Sequence, residues 1–305
     1  MRIAIVTSLY YRFTKNKMQR NFCLGSQWLY YKIYTGVKTA DYILVEKLAP
    51  VIIHLEKKKK ILKWFFIRYR DPEEHLRIRF LVDDLDDISL LVKSLYAVFK
   101  ELMDEDVVWK IQTDTYQREI ERYGKETMYD SEFLFWQDSR IILKYLNIKT
   151  SFTDNETPVF FSFLMIESFL NSFKLSNLEK SALMNKLQIT FKEEFEIDKI
   201  QKKEMDKNYR IFYPKLEVFL KESNQGQSGF SDLFFIVDEK SRQIEKTALE
   251  IIGKIELPLN DFLSSHIHMM INRQYTSRQR MYELVIYDHL HRYYKTLNYK
   301  MNRSV

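Results

Sequence analysis

The amino-acid sequence predicts an α+β fold: an antiparallel sheet with covering helices in the N-terminal part, and a mostly helical C-terminal part. Three observations carry this reading. Between about residues 20 and 125, runs with strand character interrupt runs with a 3.6-residue apolar period. From about 126 to 300 the helical period continues nearly alone. No repeat of solenoid length appears, and both flanks of the polar stretch "KESNQGQSGFSD" (221–232) have the same helical character. The 305 residues are therefore expected to form one continuous domain, with a sheet-bearing region and a helical region.

The elements follow in order. "LGSQWLYYKIYT" (24–35) reads as a strand opened by Gly25 and Ser26. "KTADYILVEKLAPVIIHLEKKK" (38–59) is a helix that Thr39 can cap, with Ile43, Leu44, Leu48, Val51, Ile52 and Leu55 on its apolar stripe. "WFFIRYRDPEEHLRIRF" (64–80) gives two strands around a turn at Asp71, Pro72 and Glu73. "DLDDISLLVKSLYAVFKELMDE" (84–105) is a second amphipathic helix with an acidic first turn, and "VVWKIQTDTYQRE" (107–119) returns to strand. Six helical segments follow: "DSEFLFWQDSRIILKYLNI", "VFFSFLMIESFLNSF", "NLEKSALMNKLQITFKEEF", "DLFFIVDEKSRQIEKTALEII", "LNDFLSSHIHMMINRQY" and "SRQRMYELVIYDHLHRYYKTL".

Composition narrows the function classes. Apolar residues make up 46% of the chain, enough for a core without disulfides, and Cys23 is the single cysteine. The apolar run in "MRIAIVTSLYYRF" stops at Arg12 without a cleavage site, and no stretch is long enough to span a membrane. A cytoplasmic protein is expected. The net charge of +6 suits an anionic partner, although part of the excess lies in "EKKKK" (56–60), which reads as a solvated helix end. Neither G-x-G-x-x-G nor G-x-x-x-x-G-K occurs, nor do H-E-x-x-H, C-x-x-C or G-x-S-x-G. No metal, cofactor or direct nucleic-acid partner is expected.

Three constellations remain. In the hairpin, Arg77 and Arg79 project to one face while Ile78 and Phe80 take the other. Flanked by apolar strands, such guanidinium groups need partners, and a carboxylate ligand would suit them. In "TYQREIERYGKETMYDSEFLFWQDS" (115–139), Arg118 and Arg122 stand four apart, so a helical turn would bring them together. Gly124 fits a positive φ, while Glu132 and Asp138 are salt-bridge candidates for those arginines. In "SSHIHMMINR" (264–273), His266 and His268 point nearly opposite ways on a helix. His268 is a base candidate with Asn272 and Arg273 near it, whereas His289 and His291 read as helix-surface positions.

Taken in order, "GSQWLYYKIYTG", "WFFIRYRDPEEHLRIRF", "QTDTYQREIERYG" with "SEFLFWQDS", and "HIHMMINR" resemble the C-terminal domain of class I lanthipeptide dehydratases. That domain also occurs as stand-alone thiopeptide-type bacteriocin biosynthesis proteins. The likeness spans about residues 20 to 295, and departs at Lys125, where the family more often has a second glycine. It implies a lyase that expels glutamate from glutamylated Ser or Thr of a precursor peptide, leaving dehydroalanine or dehydrobutyrine. It implies a split system in which a separate protein performs the glutamyl-tRNA-dependent step. A cyclase and a second copy of the chain are further candidate partners. By motif position His268, Arg79, Arg118 and Arg122 are the implied catalytic residues, and Arg77, Arg273 and Asn272 the implied substrate-binding ones. Two alternatives stay open: a pyridine synthase-type cycloaddition enzyme on the same fold, and a leader-peptide-binding scaffold whose arginines are structural.

Overall fold

The computed structural model describes residues 18–152, 155–222 and 230–302. The N-terminal apolar run and most of the polar stretch 221–232 lie outside them. A short strand β1 (Asn21–Phe22) leads through a turn, where Gly25 takes φ +92°, into β2 (Trp28–Thr35). Helix α1 follows as Ala40–Tyr42, a wide π turn Ile43–Leu48, and Ala49–Lys57. The π turn runs up to the start of the segment carrying Pro50, a residue with no N–H to donate. Thr39 stands at the N-cap position, but its hydroxyl donates to the Gly36 carbonyl instead of capping the helix.

Strands β3 (Lys63–Arg70) and β4 (Glu74–Leu81) form the expected hairpin about Asp71–Glu73. Helix α2 (Asp87–Asp104) and β5 (Val108–Thr113) complete a four-stranded antiparallel sheet of order β3-β4-β2-β5. The segment read as one strand over 107–119 is two. β5 ends at Thr113, and β6 (Tyr116–Gln117) pairs with β1 in a separate two-stranded ribbon.

The sheet has two unlike faces. Phe66, Ile78, Phe80, Leu29 and Ile33 are buried on one, which α1 and α2 cover. Trp64 donates its indole N–H to Glu56 of α1, and Tyr31 meets Phe99 of α2 edge to face. The pairing registers line up the other face in rows: Phe65, Arg79 and Tyr30; then Ile67, Arg77, Lys32 and Gln112; then Tyr69, His75, Tyr34 and Lys110.

The remainder is helical. After the short α3 (Ile120–Tyr123) come α4 (Met128–Ile148), α5 (Thr157–Ser172), α6 (Asn177–Glu194), α7 (Lys199–Glu222), α8 (Ser231–Lys254), α9 (Leu259–Gln274) and α10 (Gln279–Asn302). Of these, α7 was not among the segments anticipated. α6 starts with a full capping box, Ser176 and Glu179 serving each other's backbone N–H. Among the described residues no helix is long and apolar enough to cross a membrane.

The two sheet edges differ as well. Along β3, Phe66 donates its N–H to Ser139 of α4 and accepts from Arg273 Nε of α9. The Asn272 carboxamide accepts from the Arg68 N–H and donates to the Arg68 carbonyl. Helices thus close that edge with side chains. β5 has no strand beyond it among the described residues, and its Trp109 is 49% exposed.

Candidate functional site

The site builds outward from Arg79. Its strand position places the guanidinium above the face that α1 and α2 do not cover, among the rings of Tyr30 (4.3 Å to the centroid), Phe65 (5.2 Å) and Tyr116 (5.2 Å). Arg79 is 9% exposed, and its Nε is buried with no hydrogen-bond partner. Among the described residues it has no salt bridge either. Burial pulls the guanidinium below its ordinary pKa, while Tyr30 and Tyr116 oppose that and Arg77 adds to it. Cation–π contact stabilises such a group only in part; a desolvated cation still needs an anion. The surroundings of Arg79 therefore favour an anionic partner.

Arg77 lies two residues away on the same face and is half-buried. Its guanidinium is stacked 3.4 Å above the Tyr69 ring, and its Nε–H donates to His75 Nε2 at 3.0 Å. Lys32, opposite Arg77 in the register, is held by Asp114 at 2.5 Å. The Tyr30 hydroxyl senses Arg79, Arg77, Lys32 and Asp114 together, yet burial dominates and raises its pKa. Cationic groups thus converge on this face, and among the described residues Lys32 has a salt bridge while Arg77 and Arg79 have none. Arg68 and Arg70, the other hairpin arginines, do not join them. Arg68 turns to the opposite face and pairs with Asp41, and Arg70 is exposed beside Glu74.

The next segment separates the two arginines that its spacing had joined. α3 begins only at Ile120, so Arg118 lies outside the helix. It is 1% exposed and donates from Nε and Nη2 to both oxygens of Glu132, which is equally buried, and from Nη1 to the Gln19 carbonyl. This is a saturated internal ion pair, the structural pairing that Glu132 made the default reading. Arg122 faces outward and pairs with Glu119 at 3.3 Å, and Glu119 is also a charge that Arg79 senses. Gly124 does take φ +76°, and a Cβ there would stand 2.5 Å from the Thr127 hydroxyl. Lys125 is not in the left-handed region, so the missing second glycine leaves the turn intact.

α9 carries the last predicted group and, as its period requires, splits its histidines. His266 is fully buried among Tyr123, Phe135 and Phe262, with Nε2 3.3 Å from the Ser131 hydroxyl. His268 is partly exposed, and its Nδ1 lies 2.7 Å from Oε1 of the buried Glu283 on α10. Tyr287 donates its hydroxyl to the same oxygen. Asn272 and Arg273 are not beside His268 as free hydrogen-bonding groups. They are engaged at the β3 edge, and Arg273 also donates from Nη1 to the Met269 carbonyl. No contact among the described residues joins His268 to Arg77 or Arg79. His289 is a correction of another kind: it is buried against Tyr209 and Phe212, not on the surface.

Several residues of the arrangement were not singled out from the sequence. Glu283 lies fifteen positions from His268, and only helix packing brings them together. Tyr30 and Tyr116 belonged to strands read by period alone, and nothing in that period tells a wall of a pocket from core. His75 is a different case: alternation puts it on the face of Arg77 and Arg79 if the strand begins that early, and the strand does begin at Glu74, but no role attached to it.

With this geometry in place, comparison with known proteins identifies the family. Residues 28–294 match the family model described as "Lantibiotic biosynthesis dehydratase C-term", and the chain belongs to that family. It is 26% identical over 286 residues to the nisin biosynthesis protein NisB of Lactococcus lactis subsp. lactis, covering 90% of this chain and 26% of NisB. In fold it is similar to the tRNA-dependent lantibiotic dehydratase MibB from Microbispora sp. 107891, with TM-score 0.71 at 17% identity, over 92% of this chain and 29% of MibB. It is also similar to TbtD, a pyridine synthase from thiomuracin biosynthesis, with TM-score 0.56 at 11% identity, over 89% of this chain and all of TbtD. The chain thus spans about a quarter of the curated relative it matches along most of its own length.

Proposed function

We propose that this member of the lantibiotic dehydratase C-terminal family is a lyase that eliminates glutamate from glutamylated Ser or Thr in a precursor peptide. The observation that carries the proposal is Arg79: a buried guanidinium in a cage of three rings, with no carboxylate of its own among the described residues. In the proposed step a base takes the Cα proton of the esterified residue, the Cβ–O bond breaks, and the glutamate leaves as its carboxylate while Cα=Cβ forms. Arg79, with Arg77 at the rim, would hold the anionic charge of the glutamyl group and of the carboxylate as it departs. His268 is the proposed proton carrier. Its Nδ1 is held by Glu283, which orients the ring and leaves Nε2 for exchange. The bound peptide must then bridge the sheet face and α9. The glutamate would be installed by a glutamyl-tRNA-dependent activity outside the region that this chain matches.

A second reading has one observation in its favour. The open edge of β5 offers backbone groups to an extended peptide, as a leader-binding scaffold requires. One experiment weighs the readings. Purified protein is incubated with a synthetic glutamylated peptide, and product mass and free glutamate are followed. The wild type should release glutamate, and Arg79→Ala should lower the rate by about 10²–10³-fold. His268→Gln should lower it by about 10²-fold or more. Full activity of either variant removes that residue's role. Peptide binding that survives both substitutions, with no glutamate release by the wild type, would favour the scaffold. Turnover of a bis-dehydroalanine peptide in place of the ester would move the assignment to cycloaddition.

A further inference from the structure

His75 sits in a row that crosses all four strands of the sheet. Its ring lies between Tyr34 of β2 (centroids 4.7 Å apart) and Tyr69 of β3 (5.6 Å), and Tyr34 donates its hydroxyl to Gln112 of β5 at 2.8 Å. The imidazole is 3% exposed. Its two nitrogens have partners that leave no freedom of tautomer. Arg77 Nε can only donate, so His75 Nε2, 3.0 Å away, must be the acceptor. The Glu73 carbonyl can only accept, so His75 Nδ1, 2.8 Å away, must carry the proton. This geometry therefore requires a neutral ring.

The consequence falls on Arg77. Its guanidinium plane is set by the Tyr69 ring 3.4 Å below it, and its rotation in that plane is stopped by the bond from Nε to His75. With Nε engaged, the end carrying Nη1 and Nη2 is left, and neither makes a hydrogen bond among the described residues. Two parallel N–H donors on one edge match a carboxylate. We infer that neutral His75 is a positioning residue, which orients the terminal edge of Arg77 for the substrate's carboxylate on the sheet face it shares with Arg79. The inference rests on the anion-binding role proposed above for this face.

Protonation would undo the arrangement. A charged imidazole presents an N–H to the Arg77 Nε–H and adds a second cation beside the first. The other groups facing the ring are Lys32 on β2, Asp71 in the turn, Tyr34 and Tyr69 on either side, and Lys110 on β5, whose Nζ lies 4.9 Å above the Tyr34 ring. Burial lowers the His75 pKa, the Glu73 bond opposes this, and Arg77 and Lys32 lower it further. The neutral form therefore persists below the ordinary histidine value of about 6.5, and substrate affinity should fall only as pH drops past the depressed value.

The test combines a functional and a structural readout on the full chain. His75→Phe keeps a ring between the two tyrosines but has no acceptor. His75→Gln can place an amide oxygen near the Nε2 position and does not titrate. The peptide probe carries glutamate through a non-eliminable amide link, so binding is measured without turnover. His75→Phe should weaken binding about tenfold, His75→Gln should restore most of it, and the wild type should lose more affinity in acid than His75→Gln, whose loss reports protonation of the probe's own carboxylate. In an Arg77→Ala background, His75→Phe should have no further effect. In parallel, the ¹⁵N-resolved Arg77 Nε–H signal, assigned by its loss in Arg77→Ala, should exchange slowly in the wild type and in His75→Gln, and fast in His75→Phe. Wild-type affinity in His75→Phe, or an unchanged Nε–H signal, would overturn the inference. If the wild type does not bind the probe while Arg77 Nε–H behaves as described, the anion-binding reading fails and the orienting bond stands.

Discussion

Arg118 and Arg79 are both buried and both lie against aromatic rings, and they share Tyr116. The Tyr116 hydroxyl donates to Glu132, the partner of Arg118, and the Tyr116 ring is one of the three around Arg79. On one side of this tyrosine the guanidinium has both oxygens of a buried carboxylate and a backbone carbonyl. On the other it has three rings, and no salt bridge among the described residues. Burial alone does not distinguish the two arginines. The carboxylate does: a cation paired inside the chain contributes to the fold, and one left unpaired is free for a ligand.

Three single substitutions and one double variant sharpen or break this comparison. Arg118→Ala should have the largest effect, about 3–5 kcal/mol of lost stability in denaturant unfolding, because it leaves Glu132 buried and unpaired. Arg118→Met combined with Glu132→Leu should recover most of that loss, as removing a whole buried pair is often neutral. Equal loss in the single and double variants would mean that packing, not charge, holds the segment. Asn272→Ala comes next, at about 1–3 kcal/mol in the same assay, since it leaves a backbone N–H and carbonyl of Arg68 without their partner. Arg79→Met should move stability least and leave it at or above the wild type, because it removes a desolvated charge that has no counter-ion. A clearly lower melting temperature for Arg79→Met would place Arg79 with Arg118 as a structural group and remove the basis of the proposed site.

Much of this was readable from local pattern. The period of two in Trp64 to Phe80 placed Arg77 and Arg79 on one face, and the pairing with Tyr30 and Lys32 agrees. The period of 3.6 placed the amphipathic helices and turned His266 away from His268. What failed depended on where elements start and what they pack against. Arg118 and Arg122 were joined by a helical spacing, but the helix begins after Arg118. The strand read through 107–119 breaks at Asp114 and Thr115 because its second half pairs with β1, which is two residues long and carried no signal of its own. Asn272 and Arg273 looked like companions of a base, and only the position of β3 shows that they replace a neighbouring strand.

That replacement bears on how the chain can be divided. The outer edge of β3 belongs to the sheet-bearing region, and the groups that complete it, Ser139, Asn272 and Arg273, come from the helical one. A cut near residue 125 would leave the first fragment with an open outer edge on a largely apolar strand and the second with amide and guanidinium donors lacking their acceptors. Each half is therefore expected to be less stable expressed by itself than within the whole chain. Engineering that exchanges the arginine-bearing hairpin between relatives has to carry α4 and α9 with it, or rebuild the three side chains that stand in for a fifth strand.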